Sequence, residues 1–352
     1  AKREAAPRPP CFGRSLSRRN GDGDGDGAGL RPDEVAYGAA LAACASSSRW
    51  REALGILDDM RADGVPAGVV CYTSAMSALG GAGRPSEALS LLERMKVDGV
   101  RPNARTYVGA IRACGRGGAW EEALRLLRTM SSRDGGGVRP NAYCYNAAID
   151  ACGRSGMWMP ATGLLREMES RAHMAGSVRP DLVSYNAALR ALDQAGRWEE
   201  ALALLGRMQD ELESGTCFPP PRPDVRSYGA AIGACGRAGH WEEAASLIEI
   251  METNDFIPLP DVICYNAAIA ACERASPPQW ERALSLLRKM DRSPQRGIEP
   301  DVVSYNTVIS SCARAGRRDK VLALLREMKG NGRARPDVVS YNAAISACSG
   351  SA

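Results

Sequence analysis

Residues 181–208 read DLVSYNAALRALDQAGRWEEALALLGRM, and the spacing of their apolar side chains decides the fold. Tyr185 and Leu192 stand seven residues apart, and in the corresponding stretch upstream Tyr145, Ile149 and Cys152 fall at i, i+4 and i+7. That period sets them on one face of an α-helix. A second stripe, Trp198, Ala201, Leu205 and Met208, has the same period. Two short amphipathic helices therefore follow one another, joined by a glycine-containing turn such as Gly153-Arg154-Ser155-Gly156. Asp181 stands just before the first helix, where a carboxylate accepts from free backbone N–H groups. Pro180 in front of it keeps the preceding helix from running through. Asp224, Asp261, Asp301 and Asp337, each after a proline, mark the same boundary elsewhere.

The pattern recurs outward in both directions. Aligned on the tyrosine, the units are 34–68, 69–103, 104–141, 142–181, 182–224, 225–261, 262–301 and 302–337, with a partial ninth at 338–352. A methionine closes the second helix of every full unit: Met60, Met95, Met130, Met168, Met208, Met251, Met290 and Met328. Trp50, Trp120, Trp158, Trp198, Trp241 and Trp280 open that helix in six units, which assigns them to packing between helices. Neither helix of a pair can bury its stripe alone, so each unit must stack on its neighbours. The expected fold is all-α, a right-handed α-solenoid of stacked helix-turn-helix repeats. Extra residues fall mostly after the methionine, as between Met208 and Asp224, while Pro277-Pro278 lengthens a turn. Insertions confined to turns leave such a stack intact.

The cysteines are read through the same frame. Of 12 in the chain, Cys44, Cys114, Cys152, Cys235, Cys272, Cys312 and Cys348 each follow a tyrosine by seven residues, and Leu79 and Leu192 take the equivalent place in two units. A position that accepts Cys or Leu calls for a buried apolar group. No pair has C-x-x-C spacing, which excludes zinc ribbons and thioredoxin-like sites, and free buried thiols imply a reducing compartment.

Composition narrows the function. In 352 residues the chain is 45% hydrophobic and 24% charged, with a net charge of +4 and only two His. This is a soluble globular balance, and no apolar run approaches the roughly 18 residues of a spanning helix. So few histidines argue against a histidine-based active site or metal centre. His240-Trp241-Glu242 fits half of a zinc-deaminase signature but lacks the P-C-x-x-C half, and the same slot reads Arg197-Trp198-Glu199 one unit earlier. Asp22-Gly23-Asp24-Gly25-Asp26-Gly27 resembles the start of a calcium loop, yet Pro32 and Asp33 fall where such a loop needs its last ligands, so it reads as a linker. Residues 1–33 form a leader, basic at first and then Gly/Asp-rich, and its Arg-rich, acidic-poor start has the character of an organelle transit peptide. The expectations are no enzyme activity, no metal, no cofactor, no small-molecule substrate and no membrane partner.

The recurring V-V-S-Y-N-x-x-I-x-x-C and G-R-W-E-E-A-L-x-L-L-x-x-M segments, clearest at Val183-Ser184-Tyr185-Asn186 and Val303-Ser304-Tyr305-Asn306, resemble the pentatricopeptide repeat. The resemblance implies sequence-selective binding of single-stranded RNA at one base per repeat, without a visible catalytic domain, in chloroplast or mitochondrial RNA processing, stability or translation. RNA-processing proteins are further implied partners. In the family, the residue after the tyrosine and the last residue of the same unit read the base together. Carried over, the reading pairs are Thr73 with Asn103, Asn146 with Asp181, Asn186 with Asp224, Asn266 with Asp301 and Asn306 with Asp337. Gly38 with Gly68, Val108 with Asn141 and Gly229 with Asp261 offer no polar side chain at the first position. The family also sandwiches bases between residues two before successive tyrosines: Val70, Arg105, Tyr143, Val183, Arg226, Ile263, Val303 and Val339. Arg116, Arg154, Arg237, Arg274 and Arg314 recur two residues after the cysteine. The resemblance assigns them to RNA phosphates, while their place at a helix end also suits them to the negative pole of the macrodipole. The competing reading is a protein-interaction solenoid without RNA specificity. An enzyme whose catalytic domain lies beyond the sequence is a third.

Overall fold

A computed structural model describes residues 32–132, 137–171, 178–213, 221–254, 256–291, 298–331 and 334–349. The basic leader, its Gly/Asp run, Cys11 and Cys217 lie outside the described residues. Every regular element among the described residues is an α-helix, and there are seventeen. The chain divides into two compact units.

The first unit, residues up to Ser155 together with Arg166–Arg179, holds α1 (Glu34–Ser46), α2 (Trp50–Ala62), α3 (Val69–Ala82), α4 (Pro85–Val97), α5 (Ala104–Arg116), α6 (Trp120–Thr129) and α7 (Ala142–Arg154). Helix α8 (Trp158–Arg171) contributes to both units. The second unit runs on from Pro180 through α9 (Leu182–Gln194), α10 (Trp198–Glu213), α11 (Val225–Ala238), α12 (Trp241–Thr253), α13 (Val262–Arg274), α14 (Trp280–Asp291), α15 (Val302–Arg314), α16 (Arg318–Asn331) and α17 (Val338–Ser349). Within each unit the odd-numbered helices stack on one another, α1 to α7 in the first and α9 to α17 in the second. The even-numbered helices other than α8 pack on the odd helices that flank them, as α4 does on α3 and α5.

The stripes read from the sequence are the core. On α11 they are Tyr228, Ile232 and Cys235, and on α12 Ala244, Ile248 and Met251, all at most 1% exposed. Burying one such aliphatic side chain stabilises by about 1.5–3 kcal/mol. The cysteines of this stripe are buried and free up to Cys312, and Cys348 is exposed. Burial pushes the thiol of Cys152 up to about 11 and that of Cys235 to about 12, so they stay protonated as small apolar groups.

Two kinds of backbone hydrogen bond recur in the hairpins, and each spans an insertion in one of them. The N–H of the residue before the second helix donates to the carbonyl of the Cys/Leu position, as Arg197 does to Leu192 at 2.9 Å. Around Pro277-Pro278 the chain is longer, yet Gln279 still reaches the carbonyl of Cys272 at 2.9 Å. After the second helix, Val65 donates to Met60 and Val100 to Met95. Val138 donates to Met130 at 2.8 Å across a longer loop.

The tryptophans lie at the rim rather than in the core, each half-buried. A residue from the next hairpin covers several of them: Arg84 on Trp50 at 4.6 Å, Arg197 on Trp158 at 4.8 Å and Arg317 on Trp280 at 4.9 Å. His240 stacks on Trp198 at 4.0 Å, which accounts for that histidine without a metal. A guanidinium over an exposed indole contributes about 0.5–1 kcal/mol, so these pairs tie one hairpin to the next. No described helix is long and apolar enough to cross a membrane.

Except in the longer turn at Pro277-Pro278, the turn inside each hairpin holds a left-handed residue. Glycine supplies it at Gly83, Gly196 and Gly239 with φ of 65°, 65° and 80°, whereas Ser48 holds φ 55° in the first hairpin. A side chain there costs about 1–2 kcal/mol, partly offset by the extra chain freedom a glycine brings to the unfolded state. Ser48→Gly should therefore stabilise the first hairpin by about 0.5–1 kcal/mol, measurable as a higher midpoint in denaturant unfolding.

Candidate nucleic-acid interface

The chemistry converges on the first turn of the odd-numbered helices. In α9, Asp181 caps the helix, Val183 is its second residue, Ser184 its third and Asn186 its fifth, and the other odd helices follow the same frame. Asp181 Oδ1 accepts from Ser184 N at 2.9 Å while Asp181 N donates to Ser184 Oγ at 3.1 Å. This reciprocal box satisfies two backbone donors that helix geometry leaves open. Asn103, Asp224 and Asp301 build the same box with Thr106, Ser227 and Ser304.

The box reaches back to the preceding helix. Asn186 Nδ2 on α9 donates to Asp224 Oδ1 at 3.1 Å, and Ser227 Oγ, wholly buried, donates to Asn186 Oδ1 at 2.6 Å. The same network joins Asn266 with Asp301 (3.2 Å) and Ser304 (2.6 Å), and Asn306 with Asp337 (3.1 Å) and Ser340 (2.5 Å). Three of the reading pairs are thus joined directly, side chain to side chain. A reversed amide would set its oxygen against the aspartate, so the chemistry permits one orientation. It leaves the second amide hydrogen of each asparagine without a partner among the described residues. Burial pushes the carboxyl of Asp224 up, but the Ser227 N–H, the Asn186 amide and the Ser227 hydroxyl outweigh it and hold it below the ordinary aspartate value. The balance at Asp301 is the same, with Ser304 and Asn266 as the donors.

The remaining sequence-predicted residues divide. Thr73 is only 8% exposed and donates its hydroxyl to Val69 O at 2.7 Å, so its one hydrogen is already taken. Its Oγ1 also meets Thr106 Oγ1 at 3.1 Å, and Thr106 donates to Asn103 Oδ1 at 3.0 Å. Asn146 is 9% exposed and Asp181 exposed. The eight residues assigned to sandwiching are all exposed: Arg105 and Arg226 with Val70 (67%), Tyr143 (70%), Val183, Ile263 (73%), Val303 and Val339. Apolar side chains standing in water at the same place in successive helices constitute a feature that core packing does not explain.

The arginines assigned to phosphate are partly committed elsewhere. Arg116 Nη1 donates to Gly81 O at 2.5 Å, Arg274 Nη1 to Gly236 O at 3.0 Å, and Arg314 Nη1 to Glu273 O. Each thus caps the carboxyl end of the preceding odd helix rather than its own, where a cation offsets the negative pole. Arg237 pairs with Asp193 at 2.9 Å and Arg154 with Asp150 at 2.8 Å. Along the helix they sit eight residues beyond the reading position, roughly 12 Å away at 1.5 Å per residue. A basic cleft of about 890 Å³ opens in the first unit between α3, α5 and α7, lined among others by Arg105, Arg112, Arg116, Asn141 and Tyr143. Arg112 shares its register only with Arg190 among the full repeats, too weak a recurrence for motif spacing to single it out. The buried serines of the first turns were missed too, because serine at a helix start reads as a cap and nothing more.

These hairpins, with a common first turn, define a tandem helical-repeat protein. Models described as PPR repeat match residues 35–65, 105–134, 143–172, 183–211 and 226–256, and one described as PPR repeat family matches 67–116 and 300–350. The chain belongs to the pentatricopeptide repeat family. Among solved structures, the pentatricopeptide repeat protein PPR10 from maize is similar over 91% of this chain and 42% of its own, at 26% identity and a TM-score of 0.58. PPR10 in complex with an 18-nt psaJ RNA element is similar over 89% of this chain and 47% of that one, at 23% identity and a TM-score of 0.57. The chain spans less than half the length of these two structures. No curated protein matches it.

The depressed carboxyls carry a pH consequence. A group whose folded pKa lies below its unfolded value stabilises the fold above that unfolded value, about 3.9 for aspartate, and loses that contribution as pH falls through the folded one. Asp224 and Asp301 are both depressed. Stability should therefore decline on acidification below about pH 4. In urea unfolding from pH 6 to 3, Asp224→Asn should show a shallower decline than the unaltered chain.

Proposed function

We propose that this chain binds single-stranded RNA, with successive first turns each meeting one base. The observation that carries the reading is the row of asparagine–aspartate pairs, each leaving one oriented amide hydrogen and flanked by exposed apolar side chains. An amide hydrogen suits a Watson–Crick edge, and exposed Val, Ile, Tyr and Arg side chains suit the faces of unstacked bases. That PPR10 has been solved with an RNA element adds support from a protein of like fold. By resemblance to the family, its work belongs to RNA processing, stability or translation in the chloroplast or mitochondrion.

Read from the first repeat toward the 3′ end, the pairs favour any base, A, any, U, U, any, U, U. The A rests on Thr73, whose hydroxyl is spent on Val69, so this position should discriminate less than the uracil positions. Phosphate neutralisation falls to residues with free guanidinium capacity, among which Arg112 joins the recurring arginines.

Two measurements test the reading. Selection from a random RNA pool should return the uracil positions, and Asn186→Thr should move the fifth from U toward G while its neighbours stay, by about 1 kcal/mol of discrimination. Affinity should fall steeply with salt, as counterion release requires. Enrichment of no motif together with a flat salt response would favour the protein-interaction scaffold.

A further inference from the structure

Three cysteines, Cys71, Cys144 and Cys264, stand outside the apolar stripe of the odd helices and occupy the third residue of α3, α7 and α13. At that place other odd helices carry the hydroxyls of Thr106, Ser184, Ser227, Ser304 and Ser340. The choice follows the reading position of the preceding repeat without exception. Thr73 is followed by Thr106, Asn146 by Ser184, Asn186 by Ser227, Asn266 by Ser304 and Asn306 by Ser340. Gly38 is followed by Cys71, Val108 by Cys144 and Gly229 by Cys264.

Helix capping alone does not produce this rule. Asp261 and Asn141 still accept from the backbone N–H of Cys264 and Cys144, at 2.8 and 3.1 Å. A serine at either place could complete the reciprocal box, as it does on α11 and α15. The five hydroxyl-bearing residues are 0% exposed, and a buried hydroxyl is costly unless paired. Ser227 has one hydrogen to give, and its shortest contact is the 2.6 Å bond to the Asn186 oxygen, against 3.0 Å to Asp224. Where the preceding repeat offers glycine or valine that acceptor is missing. There a thiol sits instead, 3.9 Å from the carbonyl of Val225 or Ala104, and a Cβ added at Gly229 would stand 3.4 Å from Cys264 Sγ.

We propose that the buried hydroxyl at the third helix residue, that of Ser227, Ser304 and Ser340, is a positioning group for base selection, and that repeats followed by cysteine are silent by construction. The hydroxyl holds the oxygen of the preceding asparagine inward and turns its amide nitrogen toward the aspartate. One hydrogen is left to face the base in one direction. The inference rests on the one-base-per-repeat reading. The specificity of a repeat is thus completed by a residue of the next.

The test uses Ser227→Cys, which keeps volume and loses the strong donor, with Ser227→Thr as the rescue. In the RNA-free chain, Ser227→Cys should shift the side-chain amide resonances of Asn186 and speed their hydrogen exchange, while Ser227→Thr keeps both near their original values. In random-pool selection, Ser227→Cys should weaken discrimination at the fifth base by roughly threefold to tenfold, the worth of one net hydrogen bond. The other positions should stay unchanged. In the converse arm, Gly229→Asn with Cys264→Ser should select a base at the sixth position more strongly than Gly229→Asn alone. Unaltered Asn186 resonances in Ser227→Cys overturn the positioning role whatever the RNA result. Altered resonances with undiminished selection at the fifth base overturn it as a determinant of specificity. A uniform loss at all positions with a lowered melting temperature assigns the hydroxyl to stability alone, which also overturns it. If the unaltered chain selects no base while the resonances respond as expected, the base-reading premise fails and the positioning of the amide stands.

Discussion

The burial of one odd helix against the next is the constraint on which the rest depends. Tyr228, Ile232 and Cys235 on α11 are covered because α9 and α13 lie on either side and α10 and α12 pack against them. A lone hairpin would leave half of its apolar stripe in water, at a cost of about 25 cal/mol per Å². The same stacking fixes where the first turns fall. Once the helices are in register, an asparagine on one and an aspartate at the start of the next are within hydrogen-bond reach. The pairs are therefore a consequence of packing and not a separate device.

Much of this was legible in the sequence because it rests on periodic side chains. The stripes, the capping aspartates and the inert cysteines follow from helix period and from the chemistry of free N–H groups. What escaped has a common cause. The partners of Arg116, Arg274 and Arg314 are carbonyl oxygens some forty residues away, and a backbone acceptor leaves no mark in a sequence. The tryptophans recur as regularly as core residues, yet periodicity gives the face of a helix and not the depth, and they proved to lie at the rim, three of them beneath a neighbour's guanidinium. Ser48 looks like any turn serine until its φ of 55° is known.

Each first turn serves several ends with few atoms. Asp224 satisfies a backbone donor of its own helix, receives the amide of Asn186, and holds Ser227 where that hydroxyl can reach back. A carboxylate so surrounded remains charged despite burial, because three donors outweigh desolvation. Economy of this kind ties stability to selectivity. Substitutions there will rarely touch one without the other, which makes conservative exchanges such as Ser to Thr more informative than truncation to Ala.

The closing bonds of the hairpins give the chain an unusual tolerance. Gln279 reaches Cys272, and Val138 reaches Met130, across loops longer than those of their counterparts. At these two places register is kept by a fixed backbone contact and not by a fixed number of residues. Such a chain can gain or lose segments between those contacts without moving any helix. Foreign peptides, fluorophores or affinity handles grafted just after Met130 should therefore leave the array in frame, and lineages can vary these loops while the stack of first turns stays as it is.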